Sequence, residues 1–347
     1  MSNHWLKVLF VALGIALCNG SQLESINNIS TLVQIIKFKS PDTFDQEVFY
    51  MGKSFTKLTN GNFLIEISPT KVGLFNSQGE FIKFITPYGS EENFPAVFCV
   101  SSFPTGFIVS DGLVAKKAYI YNLKGKLVKT VLFPILTMHV ISVEKYKNYL
   151  FLGGFGYEFD LLTKEVNRTI LFSRLNYFDY SIDILLSRSK KESRFIVDEL
   201  DASSVDNFYF SINNNTGKIA GLCPLTPYVW IFDANSGKIL RMYKFIPKYY
   251  MQIIPKVPYG DDYDAWLSNW TYSNVPFWLN NETVLVSRGY KNTYFIDSYN
   301  INDVRDTAKS YMTNSKFPVI YAENNLIYLI SNIDGNSITI EIRKIRK

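Results

Sequence analysis

The chain has 347 residues, of which 47% are hydrophobic, 16% aromatic and 19% charged. That balance excludes intrinsic disorder, collagen-like repeats and a polytopic membrane protein. A net charge of +5, dispersed along the chain, gives no reason to expect nucleic acid as a partner, and two histidines with three cysteines argue against a His-rich metal centre or a disulfide scaffold.

Residues 1–20 read as a secretory signal. Lys7 precedes an apolar run over 8–17 that is too short to cross a bilayer, and Cys18-Asn19-Gly20 places small side chains for cleavage before Ser21. The expected localisation is export, to the periplasm, the cell surface or the medium, with no transmembrane segment in the mature chain. A lipidated Cys18 is the alternative, and the bulky Leu17 speaks against it. Cys99 and Cys223 then remain, each in an apolar, strand-like setting, and read as two separate buried thiols.

Further along, the chain repeats itself. Residues 32–39 form one free β-strand pattern. Phe75-Asn76-Ser77-Gln78-Gly79-Glu80-Phe81 is the first copy of a strand, a polar turn with Gly and a second strand. Tyr121-Asn122-Leu123-Lys124-Gly125-Lys126-Leu127 is the second copy, 159–168 the third, 232–241 the fourth and 296–305 a weaker fifth. Each is preceded by another short apolar strand, and a sixth such strand at 325–330 leads into 337–342. Period-2 alternation rich in β-branched and aromatic residues dominates, without long helical periodicity.

A period near that of a four-stranded unit, repeated six times, predicts an all-β six-bladed β-propeller with four-stranded antiparallel blades. The last blade lacks its outer strand, so 32–39 is expected to pair with 337–345 and close the ring, removing two open edges. Residues 21–347 then form a single domain. Spacing between copies predicts insertions at about 173–203 and 247–275, each joining the outer strand of one blade to the inner strand of the next, at the channel mouth.

Gly79-Glu80-Phe81-Ile82-Lys83-Phe84-Ile85 leading to Tyr88-Gly89-Ser90-Glu91-Glu92-Asn93-Phe94-Pro95, with Ser110-Asp111-Gly112, Ala118-Tyr119-Ile120-Tyr121-Asn122 and Gly125-Lys126, resembles six-bladed propellers of the NHL/TolB-like kind. It resembles in particular uncharacterised exported propellers of Bacteroidetes-type bacteria. The resemblance spans nearly the whole mature chain and implies blades, without implying an activity.

No phosphate-binding loop, HExxH, CxxC or GxSxG motif occurs. His139, the single histidine after the signal, reads as a packed residue in a strand. Asp160, Asp233 and Asp297 read as turn caps at equivalent positions. The basic run Ser187-Arg188-Ser189-Lys190-Lys191-Glu192-Ser193-Arg194 reads as a solvated loop. The candidate ligand site is the aromatic and acidic stretch in the second insertion: Tyr259, Asp261, Asp262, Tyr263, Asp264, Trp266 and Trp270. Aromatic faces stack on sugar rings or peptide side chains, and carboxylates accept hydroxyl hydrogens or hold Ca²⁺. No cofactor is expected beyond that Ca²⁺.

These readings converge on an exported, monomeric, non-enzymatic binding module that takes a glycan, peptide or protein at the channel mouth. The alternative is a carboxylate- or Ca²⁺-dependent hydrolase, lyase or lactonase working in the central channel.

Overall fold

The computed structural model describes residues 23–50, 52–87, 93–112, 114–133, 139–159, 166–189, 207–244, 246, 271–290, 293–303 and 308–346. After β1 (Glu24–Ser25), a single helical turn α1 (Ile26–Ile29) and β2 (Ser30–Lys39), the chain builds its sheets in sequence order.

Blade 1 is β3 (Phe55–Lys57), β4 (Phe63–Ser68), β5 (Lys71–Phe75) and β6 (Phe81–Ile85). Blade 2 is β7 (Cys99–Phe103), β8 (Gly106–Asp111), β9 (Lys117–Asn122) and β10 (Leu127–Leu132). Blade 3 is β11 (His139–Tyr146), β12 (Tyr149–Phe159), β13 (Val166–Asn176) and β14 (Ile182–Ser189). Blade 4 is β15 (Tyr209–Asn213), β16 (Lys218–Leu222), β17 (Tyr228–Asp233) and β18 (Ile239–Lys244). In blade 5 the inner strand is split into β19 (Tyr272–Ser273) and β20 (Phe277–Trp278), followed by β21 (Thr283–Tyr290), β22 (Thr293–Asn300) and β23 (Ala308–Met312). Blade 6 is β24 (Val319–Glu323), β25 (Leu326–Asp334), β26 (Ser337–Ile345) and, outermost, β2. The fold is therefore a six-bladed propeller, and among the described residues the strands pair antiparallel except β1, which adds in parallel to β23.

Ring closure follows the predicted register: Ile35 faces Glu341 and Ile36 faces Ile340. Phe38 then points into blade 1, edge-on to Phe55, Phe63 and Phe75, with no exposed surface. The turn of blade 1 touches the same strand. Gly79 has φ +87°, and a Cβ there would lie 2.5 Å from the Lys37 carbonyl oxygen, so glycine is required twice over.

The sequence pattern of each strand matches its distance from the axis. Second strands such as β4, β8 and β16 are buried along nearly their whole length, because neighbouring blades cover both faces. Their apolar runs are correspondingly unbroken. Outer strands such as β10 and β18 are less buried, and their exposed positions include apolar residues such as Val128, Leu132 and Leu240. Six apolar clusters fill the six gaps between blades, for example Phe107, Tyr119 and Tyr121 of blade 2 against Leu64 and Leu74 of blade 1. Each cluster needs residues from two blades, so no blade is a core by itself.

The recurring polar turn is an Asx turn between the third and fourth strands. Asn76 Oδ1 accepts from the backbone N–H groups of Gln78 and Glu80, and Asn122 Oδ1 from those of Lys124 and Lys126. Asn176, Asp233 and Asn300 occupy the same place in blades 3, 4 and 5.

Two readings shift as a result. Residues 159–168 span the end of β12 and the start of β13, one hairpin earlier than in the other blades. Because β12 and β13 each run for 11 residues, residues 173–189 belong to the sheet of blade 3, within what the spacing placed in an insertion; residues 190–206 lie outside the described residues. Asp297 is not a turn cap either. It sits inside β22, fully buried, and its Oδ2 accepts from Arg288 Nε at 2.7 Å. The Arg288 Nη atoms reach the Ser273 and Tyr299 hydroxyls, and Ser310 donates to Asp297 Oδ1. Asp160 lies outside the described residues. Cys99 and Cys223 are buried in blades 2 and 4 with no disulfide between them.

Candidate functional site

Tyr259, Asp261, Asp262, Tyr263, Asp264, Trp266 and Trp270 all lie outside the described residues, as do 1–20 with Cys18. The described residues instead bring together a different set, at the propeller axis, that the sequence reading did not single out.

Two connected cavities follow the axis. The outer one, of about 320 Å³, opens among the turns that join first and second strands: Lys57 in blade 1, Asn213 to Asn215 in blade 4, Asn280 and Asn281 in blade 5, Asn324 in blade 6. The inner one, of about 90 Å³, is walled by Lys53, Thr56, Glu144, Ser211, Phe277 and Trp278. Ser102, Ile212, Asn214, Trp278, Tyr321 and Ala322 line both, so they form one tapering funnel. Each blade's inner strand runs between the two faces of the ring. The funnel mouth lies at its first-to-second-strand turn. Connections from one blade to the next, including the one flanked by Lys244 and Thr271, join at the opposite end. This mouth thus opens on the face away from the blade-to-blade connections, whereas the sequence reading placed the ligand site on the connection face, on residues that lie outside the described ones.

Amides dominate the rim. Asn213 Nδ2 donates to the Asn280 carbonyl at 3.3 Å and Asn281 Oδ1 at 3.4 Å, and Asn215 Nδ2 donates to the same Asn281 oxygen at 3.4 Å. Asn280 Nδ2 in turn donates to Asn325 Oδ1 at 2.8 Å, tying blades 4, 5 and 6 together. Asn213 is saturated, because its Oδ1 also accepts from the Asn215 and Thr216 backbone N–H groups, whereas Asn215, Asn280 and Asn281 keep spare hydrogen-bonding capacity. On the other side, Lys57 Nζ meets Glu323 Oε1 at 2.6 Å, and the Tyr328 hydroxyl donates to that oxygen at 2.9 Å.

Deeper in, Lys53 forms a buried ion pair with Glu144, whose second oxygen accepts from the Ile212 backbone N–H at 3.1 Å. Burial raises the Glu144 carboxyl above the usual carboxylate range, a shift that Lys53 opposes. Burial also pushes the Tyr321 hydroxyl well up, aided by Glu323 and Glu144, so it stays a neutral wall residue. Trp278 is fixed by its indole N–H, which donates to the Ser211 carbonyl at 3.1 Å, and Thr56 Oγ1 donates to Ser102 Oγ at 3.0 Å. Ser211 Oγ is buried without a hydrogen-bond partner.

Every charge in the funnel is thus paired, and what remains available is neutral and polar: amides, hydroxyls and aromatic faces. Such a lining holds a neutral, hydroxyl- or amide-bearing ligand by hydrogen bonds and stacking. Among the described residues no group of three or more His, Cys, Asp or Glu side chains is arranged to hold a metal ion. The signal for this site was present in the sequence as Asn213-Asn214-Asn215, Asn280-Asn281 and Asn324-Asn325, three Asn clusters at one position of the repeat. His139 packs against Phe155, with ring centroids 4.6 Å apart, in β11.

No protein-family model matches the chain, and no curated protein matches it. Solved structures do. A member of the DUF4221 family from Bacteroides vulgatus superposes with a TM-score of 0.61 at 13% identity, covering 92% of this chain and 98% of its own. A Bacteroides fragilis protein described as exported gives 0.60 at 14% identity, covering 92% and 96%. At these identities the likeness establishes the six-bladed propeller and nothing about chemistry. No helix among the described residues is long and apolar enough to cross a membrane.

Proposed function

We propose that this chain is an exported, non-enzymatic binding propeller of the NHL/TolB-like kind, holding a neutral polar ligand, a glycan foremost, in the axial funnel. The amide rim carries the reading: three blades contribute Asn213, Asn214, Asn215, Asn280, Asn281 and Asn324 to one mouth. Carboxamides match sugar hydroxyls because each offers both a donor and an acceptor, and the Trp278 and Tyr321 walls add apolar faces below them. The funnel carboxylates are each engaged by a lysine, which suits binding better than proton transfer or Ca²⁺ ligation. Export rests on the signal-like start of the chain and on its likeness to a protein described as exported.

The test is a glycan array followed by calorimetry on the mature chain and on Asn214→Ala/Asn281→Ala. Loss of two rim amides is expected to weaken a genuine funnel ligand by about tenfold or more. A ligand bound equally by the parent and the double variant overturns the assignment to the funnel.

A further inference from the structure

The inner chamber narrows to a size, about 90 Å³, that takes on the order of three water molecules or one small substituent. Its walls are mixed. Phe277, Trp278 and Ala322 supply apolar surface, and the Lys53–Glu144 pair and Ser211 supply polar groups beside it, with Lys53 Nζ 5.8 Å from the centre of the Phe277 ring. Lys53 has one acceptor in Glu144 and further N–H groups, Glu144 keeps unused lone pairs, and Ser211 Oγ is only 4% exposed as a residue yet has no partner. A buried hydroxyl left unpartnered beside a cavity is a cost that a ligand group can remove.

The occupant such a chamber selects is specific. It must be uncharged, because the ion pair is already neutral and an added charge would be buried without compensation. Both a hydrogen-bond donor and an acceptor are needed to meet the polar groups, with a small apolar end to cover Phe277 and Trp278. A secondary acetamide meets all three requirements: its C=O accepts from Lys53, its N–H donates to Glu144 or Ser211, and its methyl packs on the aromatic wall.

We infer that the funnel recognises an N-acetylated amino sugar, with the ring held at the Asn rim and the acetamido group inserted into the chamber beneath. This rests on the reading of the funnel as a glycan site and adds the substituent that sets its specificity.

Calorimetry with triacetylchitotriose and cellotriose tests it, since the two share a linkage and differ by acetamido against hydroxyl. Triacetylchitotriose is expected to bind at least about tenfold more tightly. Ser211→Ala, which leaves the packing intact, is expected to weaken triacetylchitotriose and leave cellotriose unchanged, and Ala322→Leu to abolish the preference by filling the chamber. Equal binding of both trisaccharides, sensitive to Asn214→Ala/Asn281→Ala, overturns the chamber inference while the funnel reading stands. Preference for a peptide carrying Asn or Gln over both sugars overturns it as well. Failure of every neutral ligand to bind overturns the chamber and the funnel together.

Discussion

Lys53, in the segment leading into blade 1, is ion-paired with Glu144 on the inner strand of blade 3, 91 residues away. Blades 1 and 3 are not neighbours in the ring, so the pair reaches past blade 2 and lies near the axis. It joins three blades, because the other Glu144 oxygen takes the Ile212 N–H of blade 4. Both side chains are almost wholly buried.

Breaking this pair from one side should be costlier than removing it. Lys53→Met alone leaves a buried carboxylate without its cation and is expected to cost about 3–5 kcal/mol. Lys53→Met combined with Glu144→Leu should recover much of that loss. Urea unfolding of the two single variants and the double variant measures the coupling, and strictly additive losses would refute it.

Glu66 makes a pH prediction. It is fully buried in β4, and burial, with Asp45 adding to it, raises its carboxyl well above the usual value. A raised acid pKa means the folded state holds a proton that the unfolded chain has released. The resulting stability is present below the ordinary carboxylate pKa and is lost as pH rises toward the folded value. Glu66→Gln should therefore gain on the parent across that window by about 1.4 kcal/mol per pH unit and then level off. Thermal unfolding of both proteins from pH 4 to 8 decides; a difference independent of pH would contradict the burial argument.

Closure makes a third. Phe38 is fully buried, whereas Leu32 on the same strand is 44% exposed. Phe38→Ala is expected to destabilise the ring by about 3–5 kcal/mol, since it empties the joint between blades 6 and 1. Leu32→Ala should stay within about 0.5 kcal/mol of the parent. Comparable losses at the two positions, measured in denaturant, would mean that closure does not depend on this joint.

A fourth concerns the thiols. Burial pushes the Cys99 thiol up to about 12, and the Val143 backbone packs against its sulfur. Cys99 should resist a thiol-specific reagent in the native protein and react at once in denaturant, because the thiolate is the nucleophile. Rapid native labelling at Cys99, read by mass spectrometry, would show the joint between blades 2 and 3 to be open.

Much of the fold was legible because blades repeat. Asn76, Asn122 and Asp233 fall at one turn of the unit, and the unpaired strand at 32–39 needed a partner that only 337–345 offered. The blade-3 register was less legible, since its longer strands β12 and β13 carry the hairpin pattern one turn out of step. Asp297 was misplaced for a related reason: a carboxylate near a turn looks like a cap, and only the position of Arg288 across the sheet shows it to be half of a buried pair. The rim asparagines were visible as Asn-rich turns, but ordinary turn chemistry explains such residues equally well.

Strand alternation, turn residues and their period thus determined by themselves that the chain makes six sheets and closes on its own N-terminal strand, because those are local preferences repeated at a fixed interval. The contents of the funnel were decided only in three dimensions. Lys53, Glu144, Ser211, Trp278 and Tyr321 stand far apart in sequence, and it is the radial arrangement of the inner strands that turns one face of each toward a common axis.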